Sequence, residues 1–312
     1  MNFQQLEYII AVDRLRHFAK AAESCFVTQP TLSMMIQKLE EELGVKIFDR
    51  SKQPIIPTEA GVGVIFQARK ILYEASKMKE VVNDLQGNLQ GELRLGIIPT
   101  VAPYLLPLFL GSFLKKYPLL KLKITEQTTS QLIESLKSQQ LDAAILSTPL
   151  NNNSLNERPL YFEPFMVYAP GNVPLMKKKF LMPADIDVDN LWLLEEGHCM
   201  RAQALNFCEL RKKEMEGGNL EYEAGSIETL KKMVDISKGI TILPELAVMD
   251  LSKKDQKNVR HFRSPEPVRE ISIVTYHHFI KQRIIDVLEE EIKKVIPAAM
   301  LNGKKKLVMD IE

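Results

Sequence analysis

The chain is short of the features that would place it outside a reducing compartment. It has three cysteines among 312 residues, far too few for the disulfide framework of a small secreted domain. No apolar run approaches the roughly 18 residues that cross a bilayer. The opening MNFQQLEYIIAVDRLRHFAK has no basic leader, no long apolar segment and no small-residue cleavage site. The expectation is a cytoplasmic protein without a membrane partner. Charge of one sign is also missing: 41 basic and 40 acidic side chains leave a net +1, so bulk charge selects no ligand. No CxxC or paired His–Cys spacing is present, so neither a metal site nor a cofactor is expected. What is there is ordinary, 45% apolar and 26% charged, as in a globular protein with a sizeable core. The length suits two or three domains of roughly 100–200 residues each.

The first sixty residues have their own pattern. FAKAAESCFVTQPTLSMMIQKLEEELGVKIFDR predicts a short Ala-rich helix at about 18–24, a tight turn, and a second helix from Gln29 to Leu43. Thr28 is placed to cap that helix, Pro30 falls in its first turn, and Leu32, Ile36, Leu39 and Leu43 share one face. Gln29, Thr31, Ser33, Gln37 and Lys38 are left for the other. Two short helices, the second opening on small polar residues, suit a helix-turn-helix reader of the major groove, with Thr28, Gln29, Pro30, Thr31, Ser33 and Lys38 as candidate contacts. FDRSKQPIIPTEAG then suggests a wing hairpin, with Arg50 and Lys52 placed for phosphates or the minor groove. A plain helical hairpin fits the same pattern. Residues 1–60 carry seven basic and eight acidic side chains, net −1, so any basic footprint must be local.

From Thr58 to Gln86 there is no proline, and Val64, Ala68, Ile71, Ala75, Met78, Val82 and Leu85 recur at steps of four and three. This predicts a coiled-coil seam of about three heptads, buried only against another helix, although a long helix packed on its own core reads the same way. Beyond Gly91 the period changes. ELRLGII, LKLKITEQ, LDAAIL, GITILP and ISIVTYHH are strand-like with helical segments between the first of them, predicting βαβ units and a mostly parallel sheet. EPFMVYAP is read as the start of a second lobe, and the chain returns to the first near ISIVTYHH. Open sheets bind ligands beyond the carboxyl ends of their strands. Thr100 and Thr129 each lie just past such a strand, where a threonine can cap a helix, face the crevice, or do both.

GHCMRAQALNFC holds Cys199 and Cys208 nine positions apart in good helix-forming sequence. On one helix they would be half a turn out of phase and roughly 13 Å apart, whereas a disulfide needs Cα atoms within about 7 Å. Bonding would require the helix to unwind. His198, Arg201 and a helix N-terminus would each favour a thiolate at Cys199, while Cys208 has no activating neighbour in sequence. Two small buried hydrophobes remain the alternative, and that is the reading taken for Cys25.

The order of parts, with FVTQPTLSMMIQKLEEELGVKIFDR, PTEAG and a long helix, resembles the LysR-type transcriptional regulators along essentially the whole chain. Met34 and Met35 depart from the small or polar residues usual in the reading helix. LRLGIIPTVAPYLLP and EEGHCMRAQALNFC are similar to the peroxide-sensing branch of that family. The resemblance implies an α/β chain with an N-terminal winged helix-turn-helix (1–58), a linker dimerisation helix (59–88) and a two-lobed, periplasmic-binding-protein-like effector domain (89–312). Lobe I would take about 89–161 and 268–300, and lobe II about 162–267. It further implies hydrogen peroxide as the signal, a reversible disulfide between Cys199 and Cys208, and a peroxide pocket including His198, Arg201, Thr100 and Thr129. Implied partners are promoter DNA, RNA polymerase, a dithiol reductant and further copies of the chain, dimeric through the linker and tetrameric overall. A regulator answering to a small organic effector is the alternative within the family; a thiol peroxidase is the alternative from the enzymes.

Overall fold

The computed structural model describes residues 1–85, 89–152, 154–187, 190–195, 199–207, 224–237, 239–276, 282–303 and 306–309, with backbone alone at Tyr73 and 76–85. It divides into two compact units, Met1–Asn88 and Leu89–Glu312. In the first, α1 (Phe3–Leu15) opens with a capping box in which Asn2 and Gln5 satisfy each other's backbone N–H groups. α2 (Phe18–Ser24) and α3 (Gln29–Leu43) follow, the latter spanning the residues its apolar spacing predicts. The Thr28 hydroxyl accepts the Thr31 N–H at 3.4 Å, and Gly44 closes the helix at φ 69°, the left-handed conformation that glycine adopts freely. Leu32, Ile36 and Leu39 are fully buried with Ile9, Val12 and Ala21.

β1 (Phe48–Asp49) and β2 (Ile56–Pro57) pair antiparallel as the wing. α4 (Glu59–Leu85) begins where the Thr58 hydroxyl accepts the Gly61 N–H at 2.9 Å. A Cβ at Gly61 would collide with the Ile47 carbonyl oxygen, so the PTEAG motif is a cap followed by a close approach. Ile65 and Ala68 of α4 lie in the head's core, with Val64, Ile71 and Leu72 packed against it. The start of the predicted seam is thus spent on the head itself: α1–α3 leave one core face open, and α4 closes it. The later seam positions Met78, Val82 and Leu85 fall on side chains outside those described.

The second unit holds two lobes that share long strands. β3 (Gly91–Ile97), β4 (Leu120–Glu126) and β5 (Ala143–Thr148) are parallel in the order β4-β3-β5, linked by α5 (Ala102–Lys116) and α6 (Thr129–Lys137). β6 (Leu155–Tyr168) pairs through Pro164 with β11 (Pro267–Tyr276), and from Phe165 with β9 (Ile240–Pro244). One strand therefore runs from one lobe into the other. The first lobe's sheet is mixed, because β11 returns against both β5 and β6; the chain that leaves along β6 must come back in the opposite sense. The second lobe adds β7 (Phe180–Leu181), β8 (Leu191–Trp192) and β10 (Val259–Phe262), with α7 (Cys199–Phe207), α8 (Ile227–Ser237) and α9 (Glu245–Met249). α10 (Gln282–Val295) comes next in the chain. β12 (Leu307–Val308) pairs with β11 at Pro267 and Val268, just beyond the point where β5 stops at Glu270. Sequence pattern gave no warning of this short strand.

Candidate functional site

On the head, Gln29, Pro30, Thr31, Met34, Gln37 and Lys38 are exposed along α3, with Ser33 half-buried. The Thr28 and Thr31 hydroxyls lie 2.9 Å apart, so these two candidate contacts present a joined pair. Lys38 has no ion-pair partner among the described residues. Arg50 is held instead. Its guanidinium stacks over Phe18 at 4.9 Å, donates to the Ser33 hydroxyl at 3.0 Å and meets buried Glu40 at 3.4 Å. Glu40 also accepts the Ile47 N–H at 2.8 Å. Arg50 therefore ties the wing to α3 and sets the angle of Ser33. Phe26, in the turn before α3, is 96% exposed at φ 56°. Cys25 is half-buried, its sulfur 3.9 Å from the Ser24 hydroxyl.

In the second unit, Cys199 is a buried free thiol at the first residue of α7. Steps of four put Cys199, Gln203 and Phe207 along one face of that helix. Phe207 packs edge-on against Phe262 of β10 at 4.7 Å. Gln203, fully buried, donates from Nε2 to the Ser147 hydroxyl at 3.1 Å and to the Met309 carbonyl at 2.9 Å. The helix is thus fastened to β10 in one lobe, and in the other to β5 and to Met309, just past β12. Arg201, also on α7, donates to the Leu194 carbonyl at 2.8 Å.

Thr100 and Thr129 follow the carboxyl ends of β3 and β4, whose last residues Ile97 and Glu126 are paired, so both lie at one end of the sheet. Thr100 is buried and holds Arg269: its hydroxyl accepts Nη1 at 2.9 Å and its carbonyl accepts Nη2 at 3.1 Å. The Thr129 hydroxyl is shielded from solvent and has no partner among the described residues. Arg269, on β11, also pairs with buried Glu163 of β6 at 2.7 Å, and Glu163 accepts the Leu246 N–H at 2.8 Å. Burial works against charge on Arg269, but Glu163, then Tyr161 and Cys199, favour it, and its pKa ends above the ordinary value. Tyr161 is fully buried; burial first, and Glu163 second, push its hydroxyl well above the usual range.

Of the sequence-predicted site residues, Thr100 is bonded to Arg269, and Cys199 is among the groups that favour charge on that guanidinium. His198 and Cys208 lie outside the described residues. Arg269, Glu163, Tyr161 and Gln203 were missed by sequence reasoning. A signal existed: an ionisable residue inside an apolar strand, as in LYFEPFMVY or PVREISIVTY, needs a partner when buried. Among the described residues no helix is long and apolar enough to cross a membrane, and no group of three or more His, Cys, Asp or Glu side chains could hold a metal ion.

Comparison with known proteins adds to this geometry. Residues 3–62 match the model of the bacterial regulatory helix-turn-helix protein, lysR family, and residues 86–295 match the LysR substrate binding domain. The DNA-binding transcriptional dual regulator OxyR of Escherichia coli K12 is 38% identical over 277 residues, covering 88% of this chain and 89% of the relative. A hydrogen peroxide-inducible genes activator of Haemophilus influenzae is 35% identical over 303 residues, covering 95% and 99%. Among solved structures, a full-length OxyR C199D variant from Pseudomonas aeruginosa superposes with a TM-score of 0.80 at 34% identity, covering 95% of this chain and 99% of that one. A mutant OxyR of Corynebacterium glutamicum with hydrogen peroxide bound gives 0.63 at 26%, covering 94% and 92%.

Proposed function

Because this chain belongs to the LysR family of bacterial helix-turn-helix regulators, we propose that it is a cytoplasmic transcription factor that reads hydrogen peroxide through Cys199 and alters its hold on promoter DNA. The observation that carries the reading is the buried free Cys199 thiol opening α7, a helix that Gln203 fastens to β5 and Met309; Cys199 also favours the charge on buried Arg269. A guanidinium there can bear the charge of an attacking thiolate. In the first step the thiolate attacks one peroxide oxygen, the O–O bond breaks, sulfenic acid forms and hydroxide leaves to take up a proton as water. In the second, the Cys208 thiol attacks the sulfenic sulfur, a disulfide forms and a second water leaves. Two thiols of a cellular dithiol reductant restore the starting state. Thr100 holds Arg269, Thr129 supplies a hydroxyl at the same sheet end, and His198 and Arg201 complete the proposed site.

The output follows from where α7 is fastened. Closing the bond strains or unwinds this helix, because its two ends are roughly 12 Å apart. That frees contacts to both lobes and repacks the surface on which copies of the chain associate, a two-state element biased by one covalent event. Assembly as a dimer through the later turns of α4, and as a tetramer through the effector domains, sets the spacing of the heads on DNA and their contact with RNA polymerase. A non-reducing peptide map before and after one equivalent of peroxide, paired with DNase footprints, tests the proposal. It predicts a Cys199–Cys208 peptide and a shifted footprint, both reversed by dithiol. A peptide map unchanged by peroxide overturns it.

A further inference from the structure

Within the second lobe, β10 seats α7 through Phe262. The preceding residue, His261, points to the opposite face of the strand and is exposed. On that outer side a pocket of about 400 Å³ is lined by Lys177, Lys178, Lys179, Val259, Arg260 and His261. Its volume falls in the roughly 300–1,000 Å³ range of small-ligand sites, and no carboxylate is among its lining residues. Arg260 builds the pocket. Its guanidinium donates to the Met176 and Lys178 carbonyls at 2.6 and 3.0 Å on one wall, and to the Lys257 and Val259 carbonyls at 2.9 and 2.7 Å on the other. The segment that carries the three lysines is thereby fixed against β10. These acceptors are neutral, and Arg260 has no carboxylate partner among the described residues. Lys177 and Lys179 are exposed and also lack one among the described residues; Lys179 lies over the Phe180 ring at 5.6 Å. Lys178 is matched by Asp185 at 2.7 Å, and Glu266 comes within 3.9 Å of His261. Three cations therefore line one concave surface with their charge unmatched, in a chain whose net charge is only +1. Such a cleft concentrates anions. β7 and β10 also set His261 opposite Phe180, which puts two exposed rings side by side next to the cations.

We infer that this pocket binds a small multivalent phosphate anion, its oxygens matched by the Lys177 and Lys179 ammonium groups and the charge of Arg260. Lysines act on phosphate as point charges. A single carboxylate would leave two of the three cations unmatched, whereas linked phosphate groups meet them together. Inorganic pyrophosphate and an organic triphosphate share this chemistry, and the Phe180 and His261 rings favour the organic form by offering a base a surface to stack on. The site requires neither the cysteines nor the DNA-reading helix, so it stands apart from the peroxide-sensing reading.

The test is calorimetric titration of the reduced full-length chain with sodium pyrophosphate and with ATP, both free of divalent metal. Saturable binding of one anion per chain is expected, weakening as salt is raised. The double variant Lys177→Gln/Lys179→Gln, whose changes are confined to exposed side chains, should keep the wild-type thermal midpoint and lose at least tenfold in affinity. ATP bound more tightly than pyrophosphate, with the gap closed by Phe180→Ala, identifies the organic anion; equal affinities identify the inorganic one. Absence of saturable binding, or equal affinity in wild type and double variant, overturns the inference. So does binding that is weakened by Lys38→Ala on the DNA-reading helix and not by the double variant, since the anion is then on the head. A double variant that loses affinity for DNA while binding both anions like wild type assigns the patch to a nucleic-acid backbone, and overturns it as well.

Discussion

Arg269 and Glu163 form an ion pair 2.7 Å long in which neither side chain reaches solvent, 1% and 0% exposed. The same guanidinium is held by the hydroxyl and carbonyl of Thr100, so the pair links the strand that crosses between lobes to the entrance of α5. Breaking a buried pair from one side leaves an uncompensated charge and costs about 3–5 kcal/mol. Glu163→Gln should therefore lower reduced-state stability by about 3 kcal/mol, measured in urea. Arg269→Lys keeps the charge but loses the fork that reaches Glu163 and Thr100 together. It should slow peroxide oxidation of Cys199 at least tenfold while leaving DNA affinity of the reduced protein unchanged. An oxidation rate equal to wild type would remove Arg269 from the site.

Cys199→Ser preserves size and removes the nucleophile. The variant should bind operator like the reduced protein, show no peroxide response, and give no sulfenic-acid adduct with a trapping reagent. Cys208→Ser should still give the adduct. In the wild-type chain, oxidation should speed amide exchange across Cys199–Phe207, since contacts at Gln203 and Phe207 hold that helix in place. Unchanged exchange in protein whose disulfide is proven would mean that the helix does not have to unwind.

How much of this was legible in the residues depends on the range over which each signal acts. α3 was readable because Thr28, Pro30 and the Leu32–Ile36–Leu39 spacing are local and agree with one another. The cysteine-bearing helix was readable for the same reason. Arg269 was not, because its partners Glu163 and Thr100 are 106 and 169 positions away, and no local pattern says which buried charge meets which. The early seam of α4 misled because an apolar stripe names a buried face but not what buries it; at Ala68 that is the head's own core. β12 was invisible since two residues carry no period, and its pairing depends on a gap left where β5 ends.

That ambiguity gives a prediction for the linker. Ala68→Asp places a charge in the head's core and should unfold the head, seen as loss of its share of helical circular dichroism. Met78→Asp, further along the predicted seam, should leave the head folded and abolish dimerisation, with operator affinity falling in parallel. Dimers that survive Met78→Asp in sedimentation would place the pairing surface elsewhere.

On DNA the two basic residues should separate. Lys38 is exposed, so Lys38→Ala should weaken binding and lower the salt slope by about one, the signature of one lost phosphate contact. Arg50→Ala removes the stack on Phe18 and the bonds to Ser33 and Glu40, so it should also cost the head about 1 kcal/mol of stability. A loss of affinity at unchanged stability would return Arg50 to a purely phosphate-facing role.

Glu245 gives the pH dependence a definite sign. It opens α9, half-buried, and burial first, then the charge of Glu163, raise its pKa above the ordinary glutamate value. The native state therefore holds this proton more tightly than the unfolded chain does, so stability falls as pH rises through the folded pKa and the loss is complete above it. Below the unfolded value the penalty is absent. Glu245→Gln cannot ionise and should escape it. At pH 7.5 the variant should melt above wild type by about 1–3 °C, and the gap should shrink steadily as pH is lowered toward 4.5. A gap that stays constant with pH would show that the gain comes from packing at α9, and a variant that melts below wild type at pH 7.5 would show that the negative charge at the start of the helix outweighs its burial.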